Sequence, residues 1–415
     1  MSAPRQPARW PRGRTVALLA LLLWSGLPGC RRPEPAADEG SGSTPPPAAA
    51  PAPAAPAADG SADSAPPSPV TLRRVATYEV EKTASAYAVK ADGAVAIAAG
   101  PELWTWPPPT GEEIGAPVRQ PSGGQIVKLV WLGDRLLGLD GEKGAVRNFD
   151  ASGRSARVDT PLEGEGRDLW VDAAHGRLWT LARRVEQGRV VVFGLGPDGA
   201  TVGAPLHRFE LAGLPTGFYV NDDASRVALP LYTGKAVRFA TVEPPALGPG
   251  VSLGLRVSDG AWTGPTTSLW IQSTATEARE VRWDDEGSGS SPVPLPEMWT
   301  TVRRVAGETY AFGGSEGVLR RLDAPRRKVV ATSRAVRMAG AMARLGDTLL
   351  VVDSSGRRTV AALEATTLQT RGLLETECRG AAITAQQGGI YLYCPLERRV
   401  VWIALVPPAT SPAPR

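Results

Sequence analysis

The chain has 415 residues, 42% of them hydrophobic, with 46 Lys and Arg against 42 Asp and Glu. Four of the arginines and none of the acids fall in the first 29 residues, so the remainder holds 42 of each. That balance argues against a nucleic-acid partner, which needs a basic surface. The sequence holds two histidines, His175 in a hairpin turn and His207 in the stretch LHRFEL; a metal site or a Ser-His-Asp arrangement needs His partners brought together, and these two stand in unrelated contexts.

The chain opens with Arg5, Arg9, Arg12 and Arg14, followed by the apolar run TVALLALLL over residues 15–23. A spanning helix needs roughly 20 apolar residues, so this run reads as an export signal. It ends in Leu27-Pro28-Gly29-Cys30. That tetrapeptide resembles the bacterial lipoprotein cleavage site, with Pro28 standing where the family has Ala, Ser or Thr. The resemblance implies removal of residues 1–29 and lipidation of Cys30; an ordinary signal peptide cut elsewhere, or an uncleaved anchor, is the alternative. Each buried methylene contributes roughly 0.8 kcal/mol, so two or more acyl chains hold firmly. The localisation that follows is an exported lipoprotein at the outer membrane or a periplasmic face.

Residues 30–69 are almost all Pro, Ala, Ser, Gly, Asp and Glu, as in STPPPAAAPAPAAPAADGSADSAPPSP. Such a segment cannot build a core and is expected to be a disordered tether of polyproline character, reaching on the order of 120 Å when extended. A short Pro-rich tail, 407–415, closes the chain.

Between them, residues 70–406 repeat one phrase: a short apolar strand, a polar turn, a second strand ending in an aromatic or aliphatic residue, then a turn. Its eight anchors are Trp106, Phe149, Phe193, Phe239, Trp283, Leu322, Leu363 and Ile403, spaced 43, 44, 46, 44, 39, 41 and 40 residues apart. That period predicts one blade of four short strands per repeat, hence an all-β chain folded as a single β-propeller of eight blades. Seven blades, with two copies sharing one, is the alternative. Hairpins precede seven of the anchors, with tight-turn residues at Asp92-Gly93, Gly133-Asp134, His175-Gly176, Asp222-Asp223, Gly346-Asp347 and Gln387-Gly388. The eighth copy lacks a fourth strand and the segment TLRRVATYEV at residues 71–80 lacks a blade, so the N-terminal strand is expected to complete the last blade and close the ring.

The copies GAVRNFDASG and GVLRRLDAPRR resemble the quinoprotein-like and YVTN-like bacterial propeller repeats. Eight blades on a lipid-anchored chain also resemble the propeller lipoprotein of the outer-membrane β-barrel assembly machinery, an architectural likeness only.

The search for chemistry yields no catalytic, cofactor-binding or metal-ligating set. Quinoprotein dehydrogenases carry adjacent cysteines, absent here. Asn221, Asp222 and Asp223 share one turn, where such residues are expected anyway. Asp284-Asp285-Glu286 is acidic but lacks the alternating spacing of a calcium loop. Arginine pairs recur at 183–184, 303–304, 320–321, 326–327, 357–358 and 398–399; with Lys143 and Lys235 some would form a basic rim, interrupted by Glu142, Glu186, Glu316 and Glu397. Cys378 and Cys394 flank one hairpin and are candidates for a disulfide, with two buried free thiols as the alternative. The functional expectation is a non-enzymatic scaffolding or protein-binding module of the cell envelope, with unidentified envelope proteins as partners and the membrane reached through Cys30. A propeller hydrolase or lactonase with carboxylates at the central mouth is the alternative from another class, and an accessory of outer-membrane protein assembly is a third.

Overall fold

The computed structural model describes residues 67–406 apart from 150–154, 197–201, 285, 315, 326 and 387, with backbone alone for 155–159. The leader, Cys30, most of the tether and the tail 407–415 lie outside the described residues. The described chain forms eight antiparallel sheets of four strands, each sheet one blade of a single β-propeller. Among the described residues there is no helix.

Seven blades are built from consecutive strands, beginning with Ala84–Val89, Val95–Ala99, Glu102–Trp106 and Val118–Pro121 as blade 1. Blade 8 is composite. Ala382–Gln386, Gly389–Cys394 and Arg399–Val406 supply its first three strands, and the N-terminal strand Thr71–Glu79 its fourth. Thr71 pairs with Val406 and Glu79 with Arg399, antiparallel throughout. The ring is thus closed by joining its two chain ends, as the unpaired N-terminal segment predicts.

All eight repeat anchors lie in the third strand of their blades and are buried. The core explains why. It is divided into eight wedges, one at each junction of neighbouring blades. Leu136 faces blade 1 while Leu137 faces blade 3, because successive side chains point to opposite faces of a strand. Middle strands are therefore covered on both sides and read as apolar runs, as in VAIAA and the LLVV of TLLVVD, every residue of which is buried.

Antiparallel pairing makes successive turns alternate between the two ends of the blades. The turns between second and third strands share one face with the connections between blades; we name this the upper face. The turns between first and second strands, and between third and fourth, lie on the lower face. The chain enters blade 8 from the lower face, where the Val70 N–H donates to the Arg371 carbonyl (3.1 Å) and Arg371 Nε to the Ser68 carbonyl (2.9 Å).

Candidate functional site

The first strands line the central channel. In five blades this strand carries a register shift, at Ala84/Ala86, Ile126/Lys128, Gly166/Asp168, Trp299/Thr301 and Ala339/Met342. A bulge re-aims the side chains beside it. In blade 3 the Asp168 carboxylate accepts the Phe218 N–H of blade 4 (3.0 Å), while Lys128 of blade 2 stands 3.0 Å from its other oxygen. Two blades on, the buried Asp259 accepts the Val302 N–H of blade 6 (3.0 Å) and pairs with Arg303. Burial pushes the Asp259 pKa up, against the opposing pull of Arg303. Tyr219 of blade 4 is pushed up to about 12, first by burial and then by the Asp259 charge. Asp222 of blade 4 meets Arg304 of blade 6 (2.6 Å), and Arg304 also donates to the Thr263 carbonyl of blade 5 (3.2 Å). These three carboxylates tie blades together, Asp222 across the intervening blade 5; each faces a cation.

The lower mouth of the channel opens into a cavity of about 570 Å³ bordered by Tyr87, Lys128, Trp131 and Thr384. Tyr87 stacks on Tyr393 (4.5 Å between ring centroids) and its hydroxyl lies 2.8 Å from Thr384 Oγ1. The cations at this mouth are neutralised within it: Lys128 by Asp168, and Lys90 by Asp92 (2.8 Å) and Asp134 (2.6 Å). A cavity of this size admits a small molecule, but it presents no unpaired acid or base to one.

The other candidates from the sequence are dispersed. His175 Nδ1 lies 2.9 Å from the Asp172 carboxylate in a lower turn, whereas His207 stacks on Phe209 in an outermost strand. The Asn221 side chain accepts the Arg226 N–H (2.9 Å), and Asp223 accepts that of Ser225 (2.9 Å), both turn contacts. Asp284 and Glu286 both pair with Arg282; Asp285 lies outside the described residues. Among the described residues no three His, Cys, Asp or Glu are grouped as a metal would require. Cys378 and Cys394 are both buried in the wedge between blades 7 and 8, their Cα atoms 5.8 Å apart.

The arginine pairs, adjacent in sequence, separate in space. Arg303-Arg304 lies on an inner strand and Arg320-Arg321 on a third strand; Arg183-Arg184 ends a second strand. Arg327 is in a lower turn, while its neighbour at 326 lies outside the described residues. Arg357-Arg358 and Arg398 occupy upper turns, with Arg399 opening a third strand.

The upper face carries what sequence periodicity did not disclose. Val185, Tyr232 and Leu396 sit in upper turns of blades 3, 4 and 8, and Met298 on the connection into blade 6; they are 82%, 48%, 57% and 50% exposed. Among the described residues, the lower face exposes one comparable side chain, Val406, at the end of a strand; the remainder lie on outermost strands. Val185 has φ 53°, a left-handed conformation costly for a β-branched residue, where Gly or Asn would sit more easily. An apolar side chain is thus held out at the turn tip against both hydration and backbone preference.

Eight four-stranded blades closed into one ring define the class, a single β-propeller. The comparisons with known proteins agree at that level and go no further. No protein-family model matches the chain, and no curated protein matches it. Among solved structures, the computationally designed Ika8 protein is similar with a TM-score of 0.59 and 12% identity, over 78% of this chain and 97% of that one. The C-terminal WD40 domain of Sif2 is similar with a TM-score of 0.59 and 12% identity, over 80% and 98%. Virginiamycin B lyase from Staphylococcus aureus has a TM-score of 0.50 and 9% identity, over 81% and 100%. Identities this low carry the fold alone.

Proposed function

We propose that this chain is a non-catalytic binding module of the bacterial cell envelope, exported, held to a membrane through a lipid on Cys30, and presenting the upper face of its propeller to a partner protein. The observation that carries the reading is that, among the described residues, the upper face exposes four large apolar side chains and the lower face one, with Val185 kept there at backbone cost. Isolated apolar residues are ordinary on surfaces, but a face-specific set around a rigid ring suits association. The hydrolase reading lacks the convergent carboxylates it needs, since Asp168, Asp222 and Asp259 all face cations. The described chain enters the ring on the lower side, where Ser68 and Val70 bond to Arg371.

Photo-crosslinking residues placed in the full-length chain, in its own envelope, test this reading. Positions 185 and 396 should give discrete protein adducts, and positions 134 and 347 on the lower face none; adducts confined to the lower pair would refute it. A Cys30→Ala chain should lose its fatty-acid label and leave the membrane fraction. A β-barrel protein among the adducts would specify a role in outer-membrane assembly.

The Cys378–Cys394 geometry supports a disulfide, since its Cα separation lies within the bridging range. A bond closing a loop of this size contributes about 3 kcal/mol. Reduction is therefore expected to lower the stability of the wild type by roughly that amount and to leave a Cys394→Ala variant unchanged. Alkylation of both thiols in the unfolded, unreduced protein would show that they are free.

A further inference from the structure

The upper rim where blade 7 meets its neighbours carries three exposed arginines without a carboxylate partner among the described residues. Arg337 lies on the connection entering blade 7, Arg357 in the upper turn of that blade, and Arg379 on the connection leaving it. The buried Asp353 ties the backbone of the first segment to that of the turn carrying the second. Asp353 accepts the Arg337 N–H (2.9 Å) on one oxygen and the Ser355 N–H (2.8 Å) on the other. Arg379 reaches over Gly356, one guanidinium nitrogen 3.9 Å from where a Cβ would stand. Of the glutamates near this rim, Glu316 pairs with Arg334, Glu377 with Arg74 and Arg399, and Glu397 with Arg358, while Glu375 is exposed at the upper end of the outermost strand of blade 7. Arg337, Arg357 and Arg379 have no ion pair among the described residues, and the next upper turn exposes Leu396.

We infer that this sector binds a short acidic stretch of a partner protein, its carboxylates meeting Arg337, Arg357 and Arg379 and an apolar side chain between them meeting Leu396. Guanidinium forks match carboxylates in a bidentate geometry, and a fixed set of three selects a pattern of charge as well as its sign. An anionic membrane surface fits less well. Polybasic contacts there contribute about 1 kcal/mol per charge and work in clusters of roughly four to eight, whereas exposed Glu316 and Glu377 on this rim would meet the same surface. The inference rests on the upper-face reading above and narrows it to a partner chemistry.

Fluorescence anisotropy of a labelled Glu-Asp-Leu-Glu-Asp-Leu peptide, titrated with the full-length chain in mild detergent, provides the test. Binding should be saturable, weaken as salt rises, and vanish when the peptide acids become Gln and Asn. Each of R337Q, R357Q and R379Q should weaken it severalfold, and the triple variant by about tenfold or more. Absence of saturable binding, or unchanged affinity in single and triple variants that melt like the wild type, would overturn the inference. So would capture of phosphatidylglycerol vesicles by these arginines with no peptide bound. If adducts still form at positions 185 and 396, the upper-face reading survives and the acidic partner alone falls; if they too are absent, both fall.

Discussion

A chain lacking residues 67–80 is expected to lose its cooperative thermal transition and to aggregate, while a Tyr78→Ala chain folds with a stability lower by about 3–5 kcal/mol. The strand Thr71–Glu79 supplies the whole outer edge of blade 8. It also supplies Leu72 to the wedge with blade 7, and Ala76 and Tyr78, with the following Val80, to the wedge with blade 1. Burying each large side chain contributes roughly 1.5–3 kcal/mol, so the strand accounts for a large share of the 5–15 kcal/mol by which a domain is ordinarily stable. Its loss would also bare the row of backbone donors and acceptors on Arg399–Val406, a template for pairing between chains. Scanning calorimetry and light scattering read both effects. A truncated chain that melts like the wild type and stays monomeric would mean that the ring does not need its closing strand.

Asp140→Ala should cost about 3–5 kcal/mol, and adding Arg147→Met to it should recover much of that loss. Asp140 is fully buried at the end of the second strand of blade 2. Its carboxylate accepts from Arg147 Nε (3.2 Å) and Nη2 (2.9 Å), and from the backbone N–H of Glu142 (3.2 Å) and Lys143 (3.0 Å). Removing the acid strands a buried guanidinium; removing both charges leaves an apolar pair that the wedge tolerates. Arg147 also donates to the Gly123 carbonyl (2.9 Å), and the loop rides so close that a Cβ on Gly124 would stand 1.8 Å from the Asp140 carboxylate. Urea titrations of the two single variants and the double give the coupling energy; strictly additive losses would deny the pairing.

The blade count and ring closure were legible because both depend on local pattern. Third strands are enclosed on both sides, so their anchors recur at the blade period whatever the turns do. The hairpin of blade 5 was the exception. Its first strand, Asp259–Trp262, is four residues long and buried throughout, so SDGAWTGPTTSLWI shows no alternation to read. The stitching acids were also invisible. Asp168 and Asp259 matter through amides 50 and 43 residues away, and nothing beside them in sequence marks that. For the turn residues the reading was sound: Asn221 and Asp223 cap their own turn. The placement of Arg357-Arg358 and Arg398 in upper turns was legible from the hairpin pattern, whereas Arg303-Arg304 and Arg320-Arg321 lie within strands, where neighbouring side chains point to opposite sides. Arg337, Arg357 and Arg379 come from three different segments around the upper end of blade 7.

The composite last blade has a consequence for biogenesis. Its outer edge is the first part of the ring to be synthesised and its remaining three strands are the last. Thr71–Glu79 must therefore wait, without its partner strand, until Val406 has left the ribosome. Blades 1 to 7 can assemble in the order of translation, but the circle locks only when the whole ordered chain is available. A fragment ending before residue 382 would hold the seven consecutive-strand blades and one orphan strand, Thr71–Glu79, open to proteases.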